Sequence, residues 1–342
     1  MQRPVYGPYQ SAPLRPPYGG LSPKAQMERD GIQRAALGVG AAFLLFYAAQ
    51  FILQFLLMGI LLLCGNDVNE TYEILMEPGV LYVQQIALSA LVFTLPFALS
   101  ARIARRRVGE VVRLGKVPAG VFVPLVLVGL GMCMLGNQAT NLLAQTLSWF
   151  HLVPVQPELE DPAGGPGMML VILGSAFLPA LVEEFAFRGV MLGLLRPYGD
   201  GFAILLSAVF FGLMHGNLVQ APFAIVVGAG LGYITVASGS MWPAIAAHFF
   251  NNLLATLLND WAVGWSPATA GIAYNLFALV FFAAGLLGAA LYVGKRPAAF
   301  RLHPSSCELP GRGRYGAYFS HPMTIIVLCL FGFMILLAQL GG

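Results

Sequence analysis

Long apolar runs separated by short polar stretches dominate the 342-residue chain. The runs lie near 35–63, 80–101, 118–148, 167–195, 202–218, 221–237, 242–259, 267–294 and 322–340. Most approach the roughly 20 residues that a helix needs to cross a bilayer. The short alternating segments of a membrane β-barrel are missing. The pattern therefore predicts an all-α fold, a polytopic transmembrane helical bundle of about eight to nine spans.

Composition agrees with the pattern. Hydrophobic residues make up 58% of the chain and charged residues 10%, with a mean hydropathy of +0.76. Soluble domains carry about 25% charged residues. Cys64, Cys133, Cys307 and Cys329 have no metal-type or redox spacing, so no disulfide framework is expected. The first 30 residues are polar and proline-rich, unlike a secretory signal, and the first apolar run is too long for a signal core.

The charges sort by loop. Arg29 and Arg34 precede the first run, Arg102, Arg105, Arg106, Arg107, Arg113 and Lys116 follow the second, and Arg196 follows the fourth. Lys295, Arg296, Arg301, Arg312 and Arg314 follow the eighth. The alternate loops hold Asp67, Glu70, Glu73, Glu77, Glu158, Glu160, Asp161 and Asp260 without a lysine or arginine. Positively charged loops stay in the cytoplasm, so the expectation is an integral protein of a bacterial plasma membrane with a cytoplasmic N-terminus. Four segments follow: a disordered proline-rich tail (1–33), N-terminal transmembrane helices (34–166), a central helical section (167–260) that the resemblance drawn below makes the catalytic core, and C-terminal transmembrane helices (261–342) with a polar linker near 295–321.

Five ionisable residues remain at membrane depth: Glu183, Glu184, Arg188, His215 and His248. A charge at a helix centre costs about 2.5–3.5 kcal/mol even on lenient insertion scales, so such residues face an interior and mark function. Glu184 and Arg188 stand four apart and share a helix face, which suits a structural ion pair. Glu183 points elsewhere and is free for chemistry. The turn at Pro197–Gly201 is centred on Gly199, and Glu183 and His215 are equally distant from it. In an antiparallel hairpin that places them at one depth. Phe211 shares the face of His215 and walls the site. His248 and Asn252, again four apart, offer two donors for an oxyanion, although their depth matches Glu183 only loosely.

Glu183-Glu184-x-x-x-Arg188, Phe211-x-x-x-His215 and His248-x-x-x-Asn252 together resemble the three motifs of the CPBP family of intramembrane proteases, which includes the CAAX prenyl endopeptidases. The resemblance covers roughly 167–260. It implies an intramembrane endopeptidase in which Glu183, assisted by His215, activates water while His248 and Asn252 hold the oxyanion, with Glu184, Arg188 and Phe211 in support. The expected partners are a membrane-associated protein or peptide, lipidated in part of the family, and the bilayer; nothing points to nucleic acid. No cofactor is expected. The alternative is a zinc held by Glu183, His215 and His248 with water in the fourth position, though no HExxH is present. Two other classes stay open: a proton- or ion-coupled transporter, for which no internal repeat is found, and a non-catalytic immunity or scaffold protein of the same fold.

Overall fold

The computed structural model describes residues 20–153, 155, 164–296, 301–302 and 305–340. Among the described residues the fold is helical, without strands. The helices are α1 (Pro23–Leu63), α2 (Val68–Met76), α3 (Pro78–Ile103), α4 (Val108–Val111), α5 (Ala119–Ser148) and α6 (Gly167–Tyr198). They continue with α7 (Asp200–Leu213), α8 (Gln220–Ser238), α9 (Trp242–Ala262), α10 (Pro267–Lys295), α11 (Gly311–Phe319) and α12 (Pro322–Leu340). Seven helices are long and apolar enough to cross a membrane: α1, α3, α5, α6, α8, α10 and α12. Each apolar run of the sequence is a helix here. The remaining two runs are α7, which is shorter, and α9, whose polar residues lower its hydropathy.

Three boundaries depart from the polarity pattern. First, α1 starts at Pro23, inside the stretch read as tail. Ser22 caps it by accepting from Ala25 N at 3.1 Å, and Pro23 sits where its missing N–H costs nothing. The Glu28 carboxylate then accepts from the N–H groups of Glu308 and Leu309 at 3.2 and 2.8 Å. Residues 1–19 lie outside the described residues. Second, the polar linker near 295–321 contains α11. Its Tyr318 is fully buried against Phe210, and the Arg314 guanidinium lies over Phe202 and donates to Tyr198 O. Third, α7 stops at Leu213 rather than running to 218. Gly216 takes a left-handed φ of 69°, open to glycine, and Asn217 Oδ1 accepts from Val219 N and Gln220 N at 3.1 and 2.8 Å, starting the next helix.

Close packing holds the bundle. A Cβ on Gly131 would lie 2.7 Å from Gly285 Cα, so α5 and α10 meet backbone to backbone, as small residues allow in membranes. Phe43 of α1 sits within 5.1–6.0 Å of the rings of Phe97, Phe187, Phe210 and Phe331, joining α1, α3, α6, α7 and α12. The ends of the bundle are distinct. At one, Met241 N donates to Arg113 O at 2.9 Å, Lys295 Nζ to Gly120 O at 3.3 Å, and Ser305 Oγ to Tyr198 O at 3.0 Å. At the other, Thr140 Oγ1 donates to Val219 O at 2.8 Å and the Tyr274 hydroxyl to Asn259 at 2.7 Å. Basic loops gather at the first end, and Asp67, Glu70, Glu73, Glu77 and Asp260 at the second.

Candidate active site

The site begins with an irregularity in α6. Regular α-helix at Leu178–Glu184 is flanked by π-helical turns at Ile172–Phe177 and Phe185–Met191. Single π turns concentrate at functional sites because they re-aim side chains and loosen backbone groups. Pro179 adds to this. It has no N–H to give to the carbonyl four residues back, which is that of Ser175, and Asn252 Nδ2 of α9 donates to that oxygen instead at 3.0 Å.

Glu184 is the hub. Its carboxylate is sealed, and Oε1 accepts from Arg188 Nη1 at 2.9 Å and from His248 Nδ1 at 2.9 Å. Oε2, and Arg188 Nε and Nη2, have no partner among the described protein groups. Arg188 is also sealed, with its guanidinium 4.3 Å from the centre of the Phe211 ring. A desolvated cation over an aromatic face is worth about 2 kcal/mol. Phe211 stands edge-on to both imidazoles, 5.1 Å from His215 and 6.1 Å from His248. The ion pair read from the spacing is thus present, and the Phe211 ring is near the arginine and both histidines.

Glu183 differs from its neighbour. It lines a cavity of about 690 Å³ together with His215, His248, Asn252 and Phe211. The imidazole within 4 Å of it is His248, with Nε2 3.9 Å from Glu183 Oε2. His215 shares the cavity without that direct contact; its Nδ1 donates to Phe211 O at 2.7 Å, which leaves Nε2 unprotonated in the neutral ring. It sits in the turn beyond α7, not inside the helix.

The loose depth match of His248 has a structural answer. The turn between α8 and α9 is recessed into the bundle, because the segment after α4 reaches in to hold it: Met241 N bonds to Arg113 O, and Leu114 bridges Ser240. Gly189 marks the level, since a Cβ there would meet Met241 Sδ and Val112, each at 3.1 Å. From Met241, α9 rises about 1.5 Å per residue and brings His248 level with Glu184.

Several lining residues escaped the sequence reading. Asn251 donates from Nδ2 to Asn252 Oδ1 at 3.1 Å and so orients that carboxamide. Tyr82, Gln85, Gln220, Thr256 and Asn259 complete a neutral polar wall. Gln85 and Gln220 had a usable signal, being carboxamides within or beside apolar runs. The zinc alternative fits poorly: among the described residues no three His, Cys, Asp or Glu side chains come close enough to hold a metal ion.

Residues 165–254, about a quarter of the chain, match the family model described as Type II CAAX prenyl endopeptidase Rce1-like. All seven site residues fall inside the match. No curated protein and no solved structure matches the chain. With seven helices long and apolar enough to cross a membrane, the chain is an integral membrane protein, and its residues 165–254 are similar to the Type II CAAX prenyl endopeptidase Rce1-like family.

Proposed function

We propose that the chain is an endopeptidase in which Glu183 takes a proton from water as that water attacks a peptide carbonyl. One observation carries the reading: of two adjacent carboxylates, Glu184 is sealed and twice bonded, while Glu183 lines the cavity beside two histidines. The carboxylate accepts one water proton while the oxygen bonds to the carbonyl carbon. His215, with Nδ1–H held by Phe211 O, presents Nε2 as the proton acceptor that assists Glu183 and later passes the proton to the leaving amine as the C–N bond breaks.

The oxyanion meets preorganised donors. One Asn252 Nδ2–H goes to Ser175 O, and the second remains for the developing charge. His248, whose Nδ1–H is held by Glu184, can donate to the oxyanion from Nε2 only when that second ring nitrogen also carries a proton. No step is routed through a metal, because Glu183, His215 and His248 do not converge as a ligand set.

The test compares protein termini in membranes from cells holding wild type or Glu183→Gln. New C-termini found only with wild type, at equal folded expression, are expected. An identical set of termini in both would remove Glu183 as the base.

A further inference from the structure

We infer that the catalytic cavity opens on the membrane face opposite the arginine-rich end, and that it admits an uncharged, extended internal segment of a substrate chain presented there. This rests on the endopeptidase reading above and adds the side and the substrate class.

The placement of the lining residues carries the first half. Glu183 at the middle of α6 and His248 in the arginine-end half of α9 form the floor of the cavity, and the lining continues from there towards the acidic end: Tyr82 and Gln85 come from the start of α3, Gln220 from the start of α8 and Asn259 from the end of α9. Exposure follows the same direction. Asn259 is exposed beside Asp260, whereas His248, about three turns nearer the arginine end, is only 6% exposed. Below the cavity the bundle is closed by Arg188 and Phe187, both essentially inaccessible. A separate hollow of about 300 Å³ at the other end, lined by Arg113 and Arg196, reaches the same Arg188 from the opposite side. Arg188 is therefore the partition between the two faces. Loops rich in lysine and arginine remain cytoplasmic, which puts the mouth on the non-cytoplasmic side.

The chemistry of the wall carries the second half. Among the described residues it contains five carboxamides, Gln85, Gln220, Asn251, Asn252 and Asn259, and no lysine or arginine. A carboxamide both donates and accepts, as a peptide group does, so the wall can pair with extended backbone whatever its sequence. A free C-terminal carboxylate, by contrast, needs a cation or a nest of N–H groups when taken from water, and the only full charges in the lining besides the histidines are acidic. The cavity fits the middle of a chain better than its end.

Two measurements separate this from the endopeptidase reading. The first starts from the full chain with Cys64, Cys307 and Cys329 changed to serine and adds Asn259→Cys; the fully buried Cys133 stays. A sulfonated, membrane-impermeant maleimide is applied to right-side-out and inverted plasma-membrane vesicles. Labelling of the Asn259→Cys protein in right-side-out vesicles is expected, while a protein keeping native Cys307 alone, at the arginine end, labels only in inverted ones. The opposite pattern, or no labelling of Asn259→Cys in folded protein from either side, overturns the inference. The second uses two single-span reporters with the same uncharged segment next to the membrane, outside in one and inside in the other, with Glu183→Gln as the blank. Cleavage of the outside reporter alone is expected. Cleavage of the inside reporter alone overturns the inference and leaves the endopeptidase standing; labelling from outside with neither reporter cut keeps the mouth and removes the endopeptidase.

Discussion

Asn252 stands where a structural and a chemical role meet, and a pair of substitutions separates them. Its Nδ2 serves the Ser175 carbonyl, which Pro179 leaves without its usual donor. Asn252→Ala leaves that acceptor unpaired. A buried orphan acceptor costs about 1–3 kcal/mol; Ser175 lines the cavity and water can reach it, so about 1 kcal/mol is expected here. Loss of an oxyanion donor is a different quantity, about 10²–10³ in turnover. Adding Pro179→Ala to Asn252→Ala supplies an N–H four residues after Ser175 and repairs the first defect without touching the second. Thermal unfolding of the detergent-solubilised full chain reads the stability term, and turnover of a substrate found in the termini comparison reads the catalytic one. The double variant should unfold near the wild-type temperature and stay as inactive as Asn252→Ala. If turnover returns together with stability, Asn252 acts only by holding α6, and the oxyanion assignment is wrong.

Three further outcomes follow from the same geometry. Arg188→Met removes one partner of a sealed pair and should cost about 3–5 kcal/mol, while adding Glu184→Gln should recover part of it; a loss below about 1 kcal/mol, the level of a surface pair, would show that the pair is solvated. Chelators should leave turnover unchanged, and restoration of a lost activity by added zinc would reverse the metal-free assignment. At the start of α12, Met323 N donates to His321 Nδ1 at 3.2 Å, and burial holds that imidazole below its ordinary pKa. A depressed pKa gives stability that is complete above about pH 6.5 and is lost as pH falls through the lowered folded value. Melting temperature should therefore fall on mild acidification, less so in His321→Asn, which keeps a capping acceptor; equal pH profiles would count against the cap.

How much of this was legible in the sequence depends on the range of the interaction. The helices were, because a 20-residue apolar run has few other fates, and so was the Glu184–Arg188 pair, set by the rise of one helix turn. The start of α1 was not, since Glu28 is held by backbone N–H groups near Leu309, far along the chain. Nor was α11, whose Tyr318 is buried by residues of other helices. The end of α7 was missed for a local reason: Gly216 and Asn217 together form a stop that hydropathy averages away. The partnership of His248 was missed for a distant one. Its depth is set by where the α8–α9 turn rests, and that turn is held by Arg113 from a loop more than a hundred residues earlier.

Sharing Glu184 Oε1 between Arg188 and His248 ties the stability of the bundle to its chemistry. A carboxylate held by the arginine alone would have only one helix to lock, since both residues lie on α6. By also accepting from His248 Nδ1, it fixes the position of α9 against α6, the tautomer of the ring and the direction of Nε2 towards Glu183. In the proposed mechanism the buried arginine pairs with one carboxylate and leaves the other to take the proton from water. On the proposed mechanism, two glutamates adjacent in sequence yet unequal in surroundings divide the work, one holding the helices and the other facing the cavity. On this account Glu184→Gln should impair turnover even where the fold survives, because the amide weakens the hold on the imidazole, and the loss should appear in kcat more than in KM.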